Sequence, residues 1–141
     1  METQLEDPIV YSPDVHSHLL PAMANIHAAC ITTDNTLATF LPPLSHKKIL
    51  TSWQEWSSEI ESGHRVIFLQ MAGIANEGEK TLAGVVSLYF PETETGSQRG
   101  QVGRLLVSPD WRYRGIARRL LGALEKVALE KGRWLLVSMP Y

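Results

Sequence analysis

The sequence predicts an α+β domain built on a mixed, mainly antiparallel sheet flanked by helices. Three observations carry that expectation. Segments rich in β-branched and aromatic residues, bounded by turn formers, recur at 9–11, 65–71, 81–90, 101–107 and 133–139. Other stretches keep the i, i+3, i+4 apolar spacing of helices. The last helical stretch lies between two strands, and a right-handed crossover makes such a pair parallel.

The elements follow in order. Residues 9–11 read as a first strand, and Ser12-Pro13-Asp14 as a helix start with Ser12 as cap and Pro13 at the first helical position. Leu19, Leu20, Met23 and Ile26 share one face of that helix. Residues 32–43 hold Asp34-Asn35 and Pro42-Pro43 and read as loop. Ser45 caps a second helix to about Ser62, with Ile49, Leu50, Trp53, Trp56 and Ile60 as its stripe and Gly63 as its stop. Residues 65–71 form a strand, 76–80 a hairpin turn, 81–90 its partner, 91–100 a loop and 101–107 a third long strand ended by Ser108-Pro109. The helix at 115–131 carries Ile116, Leu120, Leu121, Leu124, Val127 and Ala128 on one side, and Gly132 ends it. Residues 133–139 are apolar enough to read as a central strand.

At 141 residues the chain reads as a single domain, 1–141, with one core. Its 44% hydrophobic and 20% charged residues are ordinary for a soluble globular protein. A formal net charge of -2 argues against nucleic acid as a partner. No apolar run approaches the roughly 18 residues of a membrane span, so no membrane partner is expected. Cys30 is the sole cysteine, which with the polar amino terminus points to the cytoplasm, or the nucleus. His16, His18, His27 and Cys30 lack a second ligand pair at site spacing, so no metal is expected. No G-x-S-x-G is present to serve as a hydrolase nucleophile turn.

One segment departs from what stability alone would select. Arg112, Arg114, Arg118 and Arg119 crowd the amino terminus of the 115–131 helix, with Asp110 as the only acid close by. The helix dipole and unbonded first-turn N–H groups already make that end positive. A bound phosphate resolves the conflict. Gly115 lets it approach the backbone, and Ala117 keeps the next position open. If strands 101–107 and 133–139 part at this end, an extended ligand can bond to the exposed backbone as a substitute strand. The competing reading is a solvated basic patch. Neither G-x-x-x-x-G-K-[ST] nor a strand-borne G-x-G-x-x-G is present.

The string VGRLLVSPDWRYRGIARRLLGALEKVA resembles motif A of the GNAT superfamily of N-acetyltransferases. Within it, Arg112-Tyr113-Arg114-Gly115-Ile116-Ala117 matches that family's [Q/R]-x-x-G-x-[G/A] pyrophosphate loop. From the second helix onward the spacing is most similar to tabtoxin-resistance-type acetyltransferases. The resemblance implies a GNAT-like acyl-CoA-binding fold, acetyl-CoA as co-substrate, and transfer of acetyl to a small-molecule amine or a lysine side chain. It implies backbone bonds from Leu106 and Val107 to the acetyl and pantetheine groups, with an N–H near Val107 holding the oxyanion. It implies that Arg112, Tyr113, Arg114, Gly115, Ile116 and Ala117 cradle the pyrophosphate, with Arg118 reaching phosphate or solvent.

Three departures from the family pattern qualify those implications. Tyr113 stands where many members have glycine, which requires its side chain to point away from the phosphates. Gln101 stands where several members place a glutamate, and it cannot accept a proton at neutral pH, so no catalytic residue is named. Members continue past the strand equivalent to 133–139 with a helix and two strands, so a carboxy-terminally shortened domain is expected here. A rival expectation follows: a catalytically silent domain that binds coenzyme A or another chain. An apolar last strand with an open edge would recruit a second copy, giving a homo-oligomer.

Overall fold

The structure, a computed structural model, describes residues 3–34, 45–74, 78–92 and 96–138. In chain order the elements are β1 (Thr3–Leu5), β2 (Ile9–Val10), α1 (Pro13–His16), α2 (Leu20–Asp34), α3 (His46–Glu61), β3 (Arg65–Ile74), β4 (Thr81–Tyr89), β5 (Arg99–Val107), α4 (Ile116–Glu130) and β6 (Leu135–Ser138). Residues 76 and 77 of the expected hairpin turn, residues 35–43 of the expected loop, and Met139 and Tyr141 lie outside the described residues.

The first predicted helix is divided. Pro13 opens α1 as expected, but α1 ends at His16, a single 3-10 turn (Ser17–Leu19) follows, and α2 starts at Leu20. Pro21 accounts for the break: without an N–H, and with a ring that excludes a preceding carbonyl, it is tolerated only in a first turn. Ser12 makes no side-chain cap, and its own N–H donates to His16 Nδ1 at 2.9 Å. At its far end α2 runs through Thr32 and Thr33, which the sequence assigns to loop. Met23, Ala24, Ile26, Ala28, Cys30 and Ile31 are buried, and that packing outweighs the weak helix propensity of the threonines. The second helix is as expected: Ser45 Oγ accepts the Lys48 N–H at 3.3 Å.

The sheet runs β1-β3-β4-β5-β6, with β2 also on the outer edge of β3. Every pairing is antiparallel except β5 with β6, which is parallel. The mixed, mainly antiparallel sheet is therefore present, with a strand at Thr3–Leu5 that the polar sequence did not announce. Gln70 helps hold that edge, its buried amide donating to the carbonyls of Glu6 and Met71. The expectation of a central last strand is corrected. Among the described residues β6 has β5 as its only neighbour, and Leu135 and Val137 are exposed. Apolarity alone does not separate a buried strand from an edge strand.

Helices cover both faces of the sheet. Tyr11, Met23, Ile49, Trp53, Ile67 and Leu69 form a core under α2 and α3, and Phe68, Val86, Leu88, Leu120 and Leu124 form another under α4. Each such side chain, fully buried, contributes about 1.5–3 kcal/mol. At Gly84 a Cβ would lie 2.8 Å from Ile116 Cγ2 and 3.1 Å from Leu120 Cδ1, so α4 sits directly on β4 there. That contact fixes where α4 begins.

Between β4 and β5 the register slips, Val85 facing Leu106 while Ser87 faces Gly103. The extra residue on β5 is a bulge, and Arg104 takes the strain at φ +51°.

Candidate functional site

The site begins where β5 ends. Ser108 N–H donates to Ala83 O at 2.8 Å, which makes Gly84 and Val107 a non-hydrogen-bonded pair of the ladder. Val107 consequently turns its own N–H and C=O away from β4. On that side β6 pairs only with residues 99–102 of β5, and its described residues end at Ser138. Residues 103–107 thus have no β6 partner among the described residues.

A single 3-10 turn (Pro109–Trp111) then leads to a loop whose backbone is left-handed at Tyr113 (φ +65°) and at Gly115 (φ +77°), the residue that caps α4. The Tyr113 side chain is fully exposed. The left-handed backbone also gives a physical reason for a glycine preference at that position. Arg119 N–H is bonded to Gly115 O at 3.1 Å. The N–H groups of Ile116, Ala117 and Arg118 precede that first helical bond and have no carbonyl within the helix to accept them. Leu105, Val107, Trp111, Arg112, Tyr113, Gly115, Ile116 and Ala117 enclose a cavity of about 360 Å³ here.

Six of the nine residues singled out in the sequence therefore meet at one cavity. The other three are placed differently. Leu106 pairs with Val85 and packs into the core under α2 and α3. Arg114 folds back over its own loop, donating to Arg112 O at 3.2 Å and lying 5.2 Å from the Trp111 ring. Arg118 is exposed and lines a separate cavity of about 580 Å³ with Arg119 and Lys126. Arg112 turns inward: Nε donates to Val107 O at 3.4 Å and Nη2 lies 3.7 Å from Cys30 Sγ. The Cys30 thiol donates to the same carbonyl at 3.3 Å.

A second cluster lies on the α3 side of β5; of it the sequence offered only the Trp53 and Trp56 pair, read first as packing residues with Trp56 bordering an acceptor as the lesser reading, and its arginines were not gathered with them. Trp56 lies between two guanidinium groups, Arg65 at 3.7 Å from its ring centre and Arg104 at 3.8 Å. Arg65 is paired with Glu59 at 2.6 Å and donates to Ser87 Oγ at 3.0 Å. Arg104 donates to Ser52 Oγ and also lies 4.8 Å from the Trp53 ring. Trp53 Nε1 donates to Nδ1 of the buried His27 at 3.1 Å. Burial, then the nearby Arg104 charge, lowers the His27 pKa to about 4, so the ring is neutral and acts as acceptor. The available signal was an arginine set inside an apolar strand, in Gly103-Arg104-Leu105-Leu106-Val107, in a chain with a tryptophan pair at i, i+3. Among the described residues no three His, Cys, Asp or Glu side chains gather as for a metal ion.

An open strand end facing an unbonded helix start is an arrangement suited to an extended ligand bearing an anionic group. The chain belongs to the acetyltransferase (GNAT) family, whose model matches residues 28–140. No curated protein sequence matches it significantly. Among solved structures, it is similar to a protein from Staphylococcus aureus assigned to the GNAT acetyltransferases, at 21% identity and a TM-score of 0.66, covering 95% of this chain and 100% of that one. It is similar to an acetyltransferase from Clostridium acetobutylicum solved with acetyl-CoA, at 14% identity and a TM-score of 0.65, covering 96% and 80%. It is also similar to an aminoglycoside N-acetyltransferase solved with CoA, at 15% identity and a TM-score of 0.65, covering 99% and 78%. These likenesses establish the α+β fold.

Proposed function

We propose that this chain is an acetyl-CoA-dependent N-acetyltransferase in which a primary amine attacks the thioester carbonyl directly. The observation that carries the reading is the shared cavity of Val107 and Gly115. It joins an outward-facing backbone segment of β5 to the unbonded N–H groups that open α4. The residues fit the cofactor's chemistry. Val107 N–H can bond to an amide-bearing arm, while Gly115, Ile116 and Ala117 receive the pyrophosphate without a side chain in the way. When bound, acetyl-CoA supplies an activated acyl group. The protein's part is to hold it in register against β5 and to stabilise developing oxyanion charge with a backbone N–H. Arg112, turned inward against Val107, and Arg114, folded over the loop, add positive charge beside the cavity.

The acceptor in this reading is a small-molecule amine or a lysine side chain. The spacing from α3 onward makes tabtoxin the first specific acceptor to test. Among the described residues β6 has no neighbour on its outer edge, which supports a homo-oligomer with that strand covered, and analytical ultracentrifugation at micromolar concentration tests it, a monomer counting against it. We place the protein in the cytoplasm.

The test of the cofactor reading is calorimetric titration of acetyl-CoA and CoA into wild type and Gly115→Glu. The glutamate sets a negative charge where the pyrophosphate belongs. Wild-type binding, lost in the variant, is the expected result, and no wild-type binding refutes the reading. Binding without CoA release across a panel of amines favours the silent-domain alternative.

A further inference from the structure

Two cavities flank the β5 bulge, one on each side of the sheet. Leu105 lines the one assigned above to acetyl-CoA, and its chain neighbour Arg104 lines another, of about 700 Å³, on the α3 side. Beyond residue 102 β5 has no β6 partner among the described residues, which leaves a way around that edge from one cavity to the other. We propose that the α3-side cavity is the acceptor site, and that it selects amines carrying a carboxylate or phosphate group over polycationic amines. The inference rests on the acetyltransferase reading and specifies its substrate class.

Charge carries the argument. The cavity is lined by Lys47, Lys48 and Arg104, against Glu55 as its single carboxylate, with hydroxyl groups from Thr51 and Ser52. The chain as a whole has a net charge of -2, so this local cationic excess runs against the global balance. Residues 35–44, which join α2 to α3, contain no ionisable side chain that would reverse it.

Arg104 is fixed rather than adventitious. Its side chain is held by Ser52 Oγ and by the rings of Trp53 and Trp56, and only 6% of the residue is exposed. Its backbone is kept at φ +51°, a conformation that costs a non-glycine residue about 1–2 kcal/mol. Strain of this kind, retained next to a cavity, is a feature of functional positions. Lys47 and Lys48 supply the outer cations, and Glu55 is positioned to attract the ammonium of an incoming amine. An amino acid, a short peptide or a phosphorylated amine meets complementary charge at both ends. An aminoglycoside presents several ammonium groups to a net positive wall.

The experiment compares matched ligands by NMR titration of the chain alone and, separately, of the chain saturated with CoA. One pair is alanyl-alanine and its carboxamide, another is phosphoethanolamine and ethanolamine, and kanamycin is the polycation. The anionic member of at least one pair is expected to bind about tenfold more tightly, equivalent to about 1.4 kcal/mol. Which pair shows the gap separates carboxylate from phosphate. Lys47→Ala/Lys48→Ala, which alters only exposed side chains, is expected to remove most of that gap. Equal affinity within both pairs, tighter binding of kanamycin, no binding of either anion, or an unchanged gap in the double variant overturns the proposal. Failure to bind CoA defeats the cofactor reading instead, and the titration of the chain alone still reads the charge preference.

Discussion

Lowering the pH from about 7 to about 5 places a proton on the unfolded His27 but leaves the folded one mostly neutral. The ring is 1% exposed and accepts the Trp53 N–H, and its pKa falls from 6.5 to about 4 through burial and then through Arg104. Between those two values the unfolded chain binds more protons than the native one, so stability rises with pH across the window. The contribution is fully present above 6.5 and is lost progressively as pH falls toward about 4. At about 1.4 kcal/mol per pH unit the loss comes to about 3 kcal/mol. That is a large share of the 5–15 kcal/mol typical of a domain. Other groups also titrate as acid is added, so the quantity to isolate is the difference from His27→Gln, whose carboxamide oxygen still accepts from Trp53. Urea unfolding of both chains at intervals from about pH 8 to about pH 4 measures it. The wild type is expected to lose about 3 kcal/mol more than the variant across the window. Parallel loss in the two chains refutes the reasoning.

The glycines and left-handed residues around α4 give further tests. Tyr113→Gly removes a fully exposed side chain from a φ +65° backbone, and is expected to raise stability by up to about 1 kcal/mol in thermal melts. Gly115→Ala should lower it by about 1 kcal/mol, since the space is open but the backbone stands at φ +77°. Gly122→Ala, on the exposed side of α4 with nothing within 4 Å of the added Cβ, should gain about 1 kcal/mol from helix propensity. Gly84→Ala drives a methyl to 2.8 Å from Ile116, and should cost about 1–3 kcal/mol while weakening acetyl-CoA binding by displacing the start of α4.

Much of the cofactor side was legible in the sequence because it depends on local chemistry. Arginines at the positive end of a helix, a glycine at its cap and a proline after a strand are conflicts or signals within a few residues of one another. They led to Arg112, Gly115 and Ala117, the resemblance to the GNAT loop added Val107, Tyr113 and Ile116, and these six do line one cavity. The direction of the Arg112 side chain was not legible, because its partners Val107 and Cys30 depend on where α2 crosses β5. The division between α1 and α2 could have been read from Pro21. β1 could not: Thr3-Gln4-Leu5 has no strand signature, and it joins the sheet only because β3 continues past Gln70 to offer an edge. Arg104 was hidden for a related reason. In a regular strand, alternation would have sent its side chain to the face opposite Gly103, and nothing in the sequence marks the bulge that redirects it.

That bulge also sets which residues of β5 face which cavity. Its strained residue is braced from three directions. Trp56 of α3 covers the Arg104 guanidinium, Gly103 lacks the Cβ that would stand 3.3 Å from the Trp56 ring, and Ser87 Oγ of β4 donates to Gly103 O at 3.1 Å. Arg65 of β3 closes the far face of the same tryptophan and reaches Ser87 as well. The cost of a left-handed arginine, about 1–2 kcal/mol, is thus met by contacts that a regular strand would not make. Arg104 and Leu105 line cavities on opposite sides of the sheet, as consecutive residues of a strand do, and the bulge decides which of them faces which cavity. A regular β5 would lose that arrangement by shifting every side chain beyond Gly103 to the other face. The bulge is therefore the feature on which a two-substrate reading of this fold depends, more than the arginine-rich loop that first drew attention to it.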